Sequence, residues 1–366
     1  MNRKTLIGLL ALAALLILAA SLANLSKRSN GDANQLLVPK LEAQLNSLTS
    51  MRVIGGGNQT IVTLSRAESA WKLADKSGYR ADIGRIRSNL IALARAKIVE
   101  QKTTNPEYFE RLGVEDVAGE AASGVLIELE SLAEPVRIII GDTGVGGGDY
   151  AYARKAGENQ SWLISGAFDL PTDTLEWLDR EMLDIPTARI RAVTITHPDG
   201  EVLRIEKAAA EDLNFAVKGI PDGRELSYAS VANAVAGVLT GLRLEDVQSD
   251  TNLDSAEVMP ARIVFETFDG LRIDLTVYSL TDGNWIQVSA RVGGPPTPAA
   301  PADSDDAADR ADTKGLAIGD EVERLNARLG SWAYTLASYK SEQLLKRIDE
   351  LLAPEEDDFP LPEKID

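Results

Sequence analysis

Asp142-Thr143-Gly144 follows the apolar run Ile138-Ile139-Ile140, which is the setting of a catalytic aspartate in aspartic proteases. That chemistry needs two carboxylates sharing one proton, hence two such loops. No second Asp-Thr-Gly occurs, and the corresponding later stretch reads Tyr278-Ser279-Leu280-Thr281-Asp282-Gly283. The motif is read as a polar loop joining two strands. His197 is the only histidine. A triad would set it beside a nucleophilic serine and a carboxylate, and a zinc site would need several nitrogen or sulfur ligands. It sits beside Pro198 at a predicted hairpin turn, where exposure is expected. The glycine runs Gly144-Val145-Gly146-Gly147-Gly148 and Gly55-Gly56-Gly57 lack the following helix and the Gly-Lys-Ser/Thr of a phosphate loop. Both are read as turns.

The acidic clusters from Asp303 to Asp312 and Glu355 to Asp358 lack the spacing of a calcium loop and are read as solvated charge. No carboxylate pair stands out for glycosidase-type work. The sequence therefore assigns no catalytic, cofactor-binding or metal-ligating residue, and no cofactor is expected. Trp71, Trp162, Trp285 and Trp332 fall on predicted strands and are expected in the core. Trp177 is left open between core and surface.

The elements that position these residues follow from composition and pattern. The 366 residues are enough for two domains, and 44% hydrophobic content is enough to build their cores. A net charge of -18 repels polyanions, so nucleic-acid binding is excluded. The absence of cysteine closes disulfide, thiolate and lipoprotein chemistry.

Thr5 to Ser26 carries no charge and is bracketed by Arg3-Lys4 and Lys27-Arg28. It fits a transmembrane helix over 5–26, with 1–4 as a cytoplasmic stub and 27–48 as a juxtamembrane linker. A cleaved secretory signal is the competing reading, with Ser21-Leu22-Ala23 as the cleavage site. The apolar core from Leu6 to Ala23 exceeds the usual length of a signal core, which favours the anchor. The simplest topology is single-pass, with the short N-terminal side in the cytoplasm, the large C-terminal body exported and the bilayer as a partner.

The body reads as α+β, a tandem-duplicated unit of antiparallel strands with one helix each. In the first unit (49–168) a hairpin of Met51–Ile54 with Thr60–Leu64 precedes a strand at Ala70–Leu73. A helix with Ile83, Ile86, Leu90 and Leu93 on one face comes next. Strands at Val125–Leu129 and Val136–Ile140 and around Tyr150–Tyr152 and Trp162–Ile164 complete it. A connecting helix is predicted over 169–187 from Leu175, Leu178 and Met182. The second unit (188–292) repeats the order, its hairpin turning at Pro198-Asp199-Gly200 and its helix spanning Val231 to Leu242. The Trp285 strand is aligned with the Trp162 strand. Residues 293–314 read as a disordered acidic Pro/Ala linker, and 315–353 as a helix-strand-helix docking on the second unit. Residues 354–366 read as a disordered acidic tail.

The run from Glu100 to Asp116, EQKTTNPEYFERLGVED, is distinctive. So are Trp71 ahead of Gly78-Tyr79-Arg80-Ala81-Asp82, Gln160-Ser161-Trp162-Leu163, Trp332-Ala333-Tyr334 and Tyr339-Lys340. With the N-terminal anchor, they make the chain resemble the bacterial domain-of-unknown-function 4340 (DUF4340) family. That family is similar to auxiliary parts of gliding-motility-type ABC transporters. The resemblance implies an inner-membrane protein with an extracytoplasmic body and brings no catalytic residues. The function expected is a non-enzymatic periplasmic accessory or binding protein, with an ABC permease or other envelope protein as partner. The alternatives are a periplasmic hydrolase using carboxylates and a purely structural spacer. The anchor reading predicts that protein isolated from host membranes has the intact mass of the full chain. A mass lacking the residues up to Ala23 would mark a cleaved signal instead.

Overall fold

The computed structural model describes residues 35–67, 70–253, 258–294 and 306–354. The predicted membrane helix (5–26) and the tail from Glu355 lie outside them. Among the described residues, no helix is long and apolar enough to cross a membrane. The chain divides into two compact units, Met1–Asp179 and Arg180–Asp366. Each is built on an antiparallel sheet with a few helices, so the body is α+β.

The first unit begins with a short helix α1 (Leu41–Gln44) and strands β1 (Ser50–Ile54), β2 (Thr60–Ala67), β3 (Ala70–Leu73) and β4 (Tyr79–Arg80). Helix α2 (Ile83–Arg95) follows, capped by Asp82, whose Oδ1 accepts from the Arg85 N–H at 3.0 Å. It buries Ile86, Leu90 and Leu93 of the predicted stripe, whereas Ile83, predicted on the same face, stands exposed in the first turn. Strands β5 (Ile98–Gln101), β6 (Val125–Leu129), β7 (Val136–Thr143), β8 (Tyr150–Lys155) and β9 (Ser161–Ser165) complete the sheet, in order β4-β3-β2-β1-β6-β7-β8-β9-β5. Central strand β6 is buried at every residue. Its alternating side chains face both ways, so both faces of the sheet are covered there. Glu128 on β6 stands in register between Arg52 and Arg137 on the neighbouring strands and pairs with both, at 3.4 and 2.8 Å.

The second unit contains β10 (Glu181–Leu183), β11 (Ile190–Thr196), β12 (Val202–Glu206), β13 (Ala216–Lys218), helix α3 (Asn233–Ala236), β14 (Leu242–Ser249), β15 (Ala261–Thr267), β16 (Leu271–Leu280) and β17 (Gly283–Val292). Helix α4 (Asp306–Leu329), β18 (Trp332–Leu336) and helix α5 (Ser338–Leu344) close the chain. The strand order is β10-β14-β18-β17-β16-β15-β11-β12-β13. Alternation in β15 and β16 gives one buried face and one partly exposed face. The exposed face carries a continuous ion network. Lys218 pairs with Glu206, Glu206 with Arg204, and Arg204 with Glu266; Glu266 also receives Arg191 and Arg272, and Asp274 joins Arg272 to Arg291. Single exposed pairs contribute little, but a network shares the ordering cost of its side chains. Its cations, Lys218 first and then Arg204, hold the Glu206 carboxyl below the usual glutamate range.

Several sequence expectations are corrected. Residues 169–187 do not form a connecting helix. They make a 3-10 turn (Thr174–Trp177) and then β10. The backbone bonds of this stretch go to distant partners: Trp177 O accepts from Asp82 N, and β10 pairs with β14. Trp177 itself is fully buried and donates its indole N–H to Pro171 O. The helix predicted over 231–242 stops at Ala236, continues as a 3-10 turn to Leu239, and gives way to β14 at Leu242. Residues 35–48, taken as linker, are part of the first unit, with Leu37, Leu41 and Leu48 in its core. Helix α4 starts at Asp306, inside the segment read as disordered. Alanine and lengthwise helical spacing outweigh the acidic composition there.

Strand β18 pairs with β17 only at Ile286 and Gln287. Farther along β17, Asn326 of α4 takes its place: its Nδ2 donates to Ala290 O and its Oδ1 accepts from Ala290 N, both at 2.8 Å. Glu321 on the same helix holds Arg189 bidentately at 2.7 and 2.8 Å. Asn326→Ala leaves both Ala290 backbone groups without these partners. It is expected to lower the stability of the second unit by about 1–3 kcal/mol in a denaturant titration.

Candidate functional site

The distinctive segment after β5 is built as a cover over β1, β6 and β7. Asn105 opens a 3-10 turn (Pro106–Tyr108), its Oδ1 accepting from the Glu107 N–H. A second turn (Glu110–Leu112) ends at Gly113 with φ 63°. Phe109, Val114 and Val117 then pack with Ile54, Leu126 and Ile139. This is why β6 has no exposed face. The Gly113 turn lies so close to the sheet that a Cβ on Gly124 would fall 2.1 Å from Gly113 O, and one on Gly141 would fall 2.0 Å from Leu112 O. Arg154, only 2% exposed on β8, donates to Val114 O (2.6 Å), Glu158 O (2.8 Å) and Asp116 Oδ1 (2.6 Å). Its guanidinium also stacks 4.7 Å from the Phe109 ring centroid. The segment is a loop folded around a buried arginine.

The tempting motifs take up places around that loop. Gly141 is required by the close backbone approach, Asp142 is exposed at the end of β7, and Gly144 to Gly148 form the hairpin turn. Gly57 N and Asn58 N bond to Gly119 O and Val117 O, so the first glycine run docks on the loop. Among the described residues, no group of three or more His, Asp or Glu is placed to hold a metal ion.

A pocket of about 460 Å³ opens at one end of the second unit's sheet. His197, Pro198, Val258, Met259, Ala261, Val277, Ser279, Leu345 and Arg347 line it. Hairpin β11–β12 supplies His197, the ends of β15 and β16 supply the apolar floor, and the segment after α5 supplies the far wall. His197 is buried, against the exposure expected at a turn, because that segment crosses the hairpin. The imidazole Nε2 lies 3.3 Å from Lys346 O and acts there as the donor. Arg347 fastens the segment to the hairpin by pairing with Asp199 (2.7 Å) and Glu201, and Glu201 also accepts from Ile348 N. Met259 stands 71% exposed at the mouth, and Val258 is exposed beside it. The chemistry offered is an apolar cup with an arginine already neutralised by two carboxylates. Sequence reading singled out His197 but missed Arg347 and Met259. That reading took Pro198-Asp199-Gly200 as a turn alone, although carboxylates on both sides of Gly200 could have pointed to a cation partner.

The shifted groups are all explained by structure-holding contacts. The Arg347 hydrogen bond, then the Glu201 backbone, holds the Asp199 carboxyl below the usual aspartate range. Asp199 and Glu201 push the Arg347 guanidinium up in turn. Glu350 lies below its usual value, despite burial that raises it, because Arg347 N–H and Lys346 bond to it. Glu321, then Asp269, raises Arg189. Burial lowers Lys340, whose ammonium caps the 3-10 turn after α3 by donating to Gly237 O, Val238 O and Thr240 O. The folded-state value of Asp199 is lowered, so the contribution of its clasp is complete above the ordinary aspartate value and is lost as pH falls through the lowered one. Amide exchange at Arg347 and Ile348 is expected to be protected at neutral pH. As pH falls below the ordinary aspartate range that protection is lost, after correction for the intrinsic exchange rate. Protection unchanged at low pH would contradict the clasp.

A family model described as a domain of unknown function, DUF4340, matches residues 71–258. That is just over half of the chain, from β3 through the Arg154 loop to the mouth of the pocket. No curated protein and no solved structure matches the chain significantly. The chain belongs to the DUF4340 family.

Proposed function

We propose that this protein is a non-enzymatic binding module, tethered by residues 5–26 to the bacterial inner membrane with its body in the periplasm, and auxiliary to an ABC-type transport system. The observation that carries the binding reading is the apolar pocket with Met259 and Val258 exposed at its mouth. The described carboxylates with shifted values support it as well. Asp199, Glu206 and Glu350 are all pushed down by cations or hydrogen bonds, opposite to a carboxyl poised as a general acid. The uncharged run Thr5 to Ser26 supports the tether. A tether also raises the effective concentration of a modest surface toward membrane partners.

The two sheets further support descent from one duplicated unit. Eight strands, β3-β2-β1-β6-β7-β8-β9-β5 and β13-β12-β11-β15-β16-β17-β18-β14, match position for position. Helices α2 and α3 fall at the same point in that order. In this correspondence the Trp162 strand is matched by β18 with Trp332, rather than by the Trp285 strand, and α4 is an insertion before it. Strands β4 and β10 are additions at one edge of each sheet.

Affinity capture of the full-length protein from native-host membranes tests the function. An ABC permease or its ATPase is expected with the wild-type chain and at least about fivefold less with Met259→Asp, since a charge at the rim of an apolar contact costs roughly 1–3 kcal/mol. Recovery of the bait alone, or capture indifferent to Met259, contradicts the proposal.

A further inference from the structure

The outward side of α2 differs from the rest of this acidic protein. Ile83, Arg87, Ser88, Ile91 and Arg95 are all exposed along it, with Ile83 at 47% and Ile91 at 38%. The spacing of four residues between Ile83, Arg87, Ile91 and Arg95 sets apolar and basic residues alternately on one broad face. Arg87 makes no ion pair among the described residues. Arg95 has Glu42 of α1 as its partner, at 2.7 Å. Between α2 and the chain after β9 lies a groove of about 500 Å³, floored by Ile91, Ala92 and Ala167, with Arg87 and Arg95 along it and Ser88 and Ser165 beside them. Lys97 and Val99 continue the exposed face onto β5, the edge strand.

The route of the chain says what covers this face. Residues arriving from the N-terminal side are fixed on the strand that follows α2: Gln35 O accepts from Ile98 N, and Leu37 N donates to Ala96 O, both at 2.8 Å. Only residues 27–34 separate Ser26 from Gln35, a reach of at most about 30 Å even fully extended. Lys27 and Arg28 lie in that short stretch. An anionic leaflet repels the body of a chain whose net charge is -18, so close approach is favourable only through a local basic face. We infer that the outward face of α2 rests on the anionic phospholipid headgroups of the bilayer holding the chain's own anchor. Arg87 and Arg95 meet phosphates, and Ile83 and Ile91 enter the headgroup boundary. This rests on the tether proposed above.

The test uses full-length protein in vesicles of phosphatidylglycerol and phosphatidylcholine. Because the chain has no cysteine, Ser88→Cys can carry a single fluorophore, with Ala121→Cys in the loop before β6 as the control position. Lipids bearing a headgroup nitroxide are expected to quench the label on Ser88→Cys at least about twofold more than that on Ala121→Cys. R87E/R95E should abolish the difference, as should phosphatidylcholine alone. Equal quenching at the two positions, in protein that resists an alkaline carbonate wash, overturns the inference while leaving the anchor in place. A difference that persists in phosphatidylcholine alone overturns the anionic recognition. Release of the protein by the wash overturns the tether and the inference together.

Discussion

A sheet of alternating residues has two faces, and each must be either covered or made acceptable to water. The rest of this structure depends on how that constraint is met. In the first unit β6 reads Val-Leu-Ile-Glu-Leu and is buried throughout, so a second cover is obligatory. The loop from Asn105 to Ser123 supplies it. Its backbone has no regular ladder of its own, and Arg154 satisfies two carbonyls, Val114 and Glu158, from within. In the second unit the other face is left to water, and the chain of ion pairs centred on Glu266 makes it polar.

This accounts for where the chemistry went. The residues that invite a catalytic reading are those that the covers and turns require. Gly141 precedes Asp142 because the Gly113 turn presses on the sheet, and Asp142 next to it is exposed, with its Oδ1 beside that turn. Lys340 is desolvated because it caps the turn ahead of β14. Among the described residues, an apolar pocket in one unit and a basic helix face in the other stand outside these architectural roles.

Local signals were legible where local physics decides. The hairpin turn at Gly200 has φ 93°, a conformation that glycine reaches without strain, and the strands on either side pair as the alternation predicts. Trp71, Trp162, Trp177 and Trp285 are all buried, whereas Trp332 is only half-buried. Elements decided by distant partners were not legible. Leu175, Leu178 and Met182 have helical spacing, but Pro171 and Pro186 bound the stretch and its hydrogen bonds go to Asp82 and β14. Leu242, the first residue of β14, was read as the end of a helix and the strand beyond it was not foreseen, because its pairing with β18 crosses a long stretch of chain. The burial of His197 was hidden for the same reason, since Leu345, Lys346 and Arg347 reach it from the far end of the sequence.

The central claim is that the body binds a membrane partner through the pocket rim rather than acting on a substrate. Photo-crosslinking in living host cells tests it most directly, with a benzophenone side chain placed at Met259 and, for comparison, at the exposed Val202 of β12. The account predicts one discrete adduct to an integral membrane protein from position 259 and none from 202. No adduct at either position, or the same adducts from both, would contradict it.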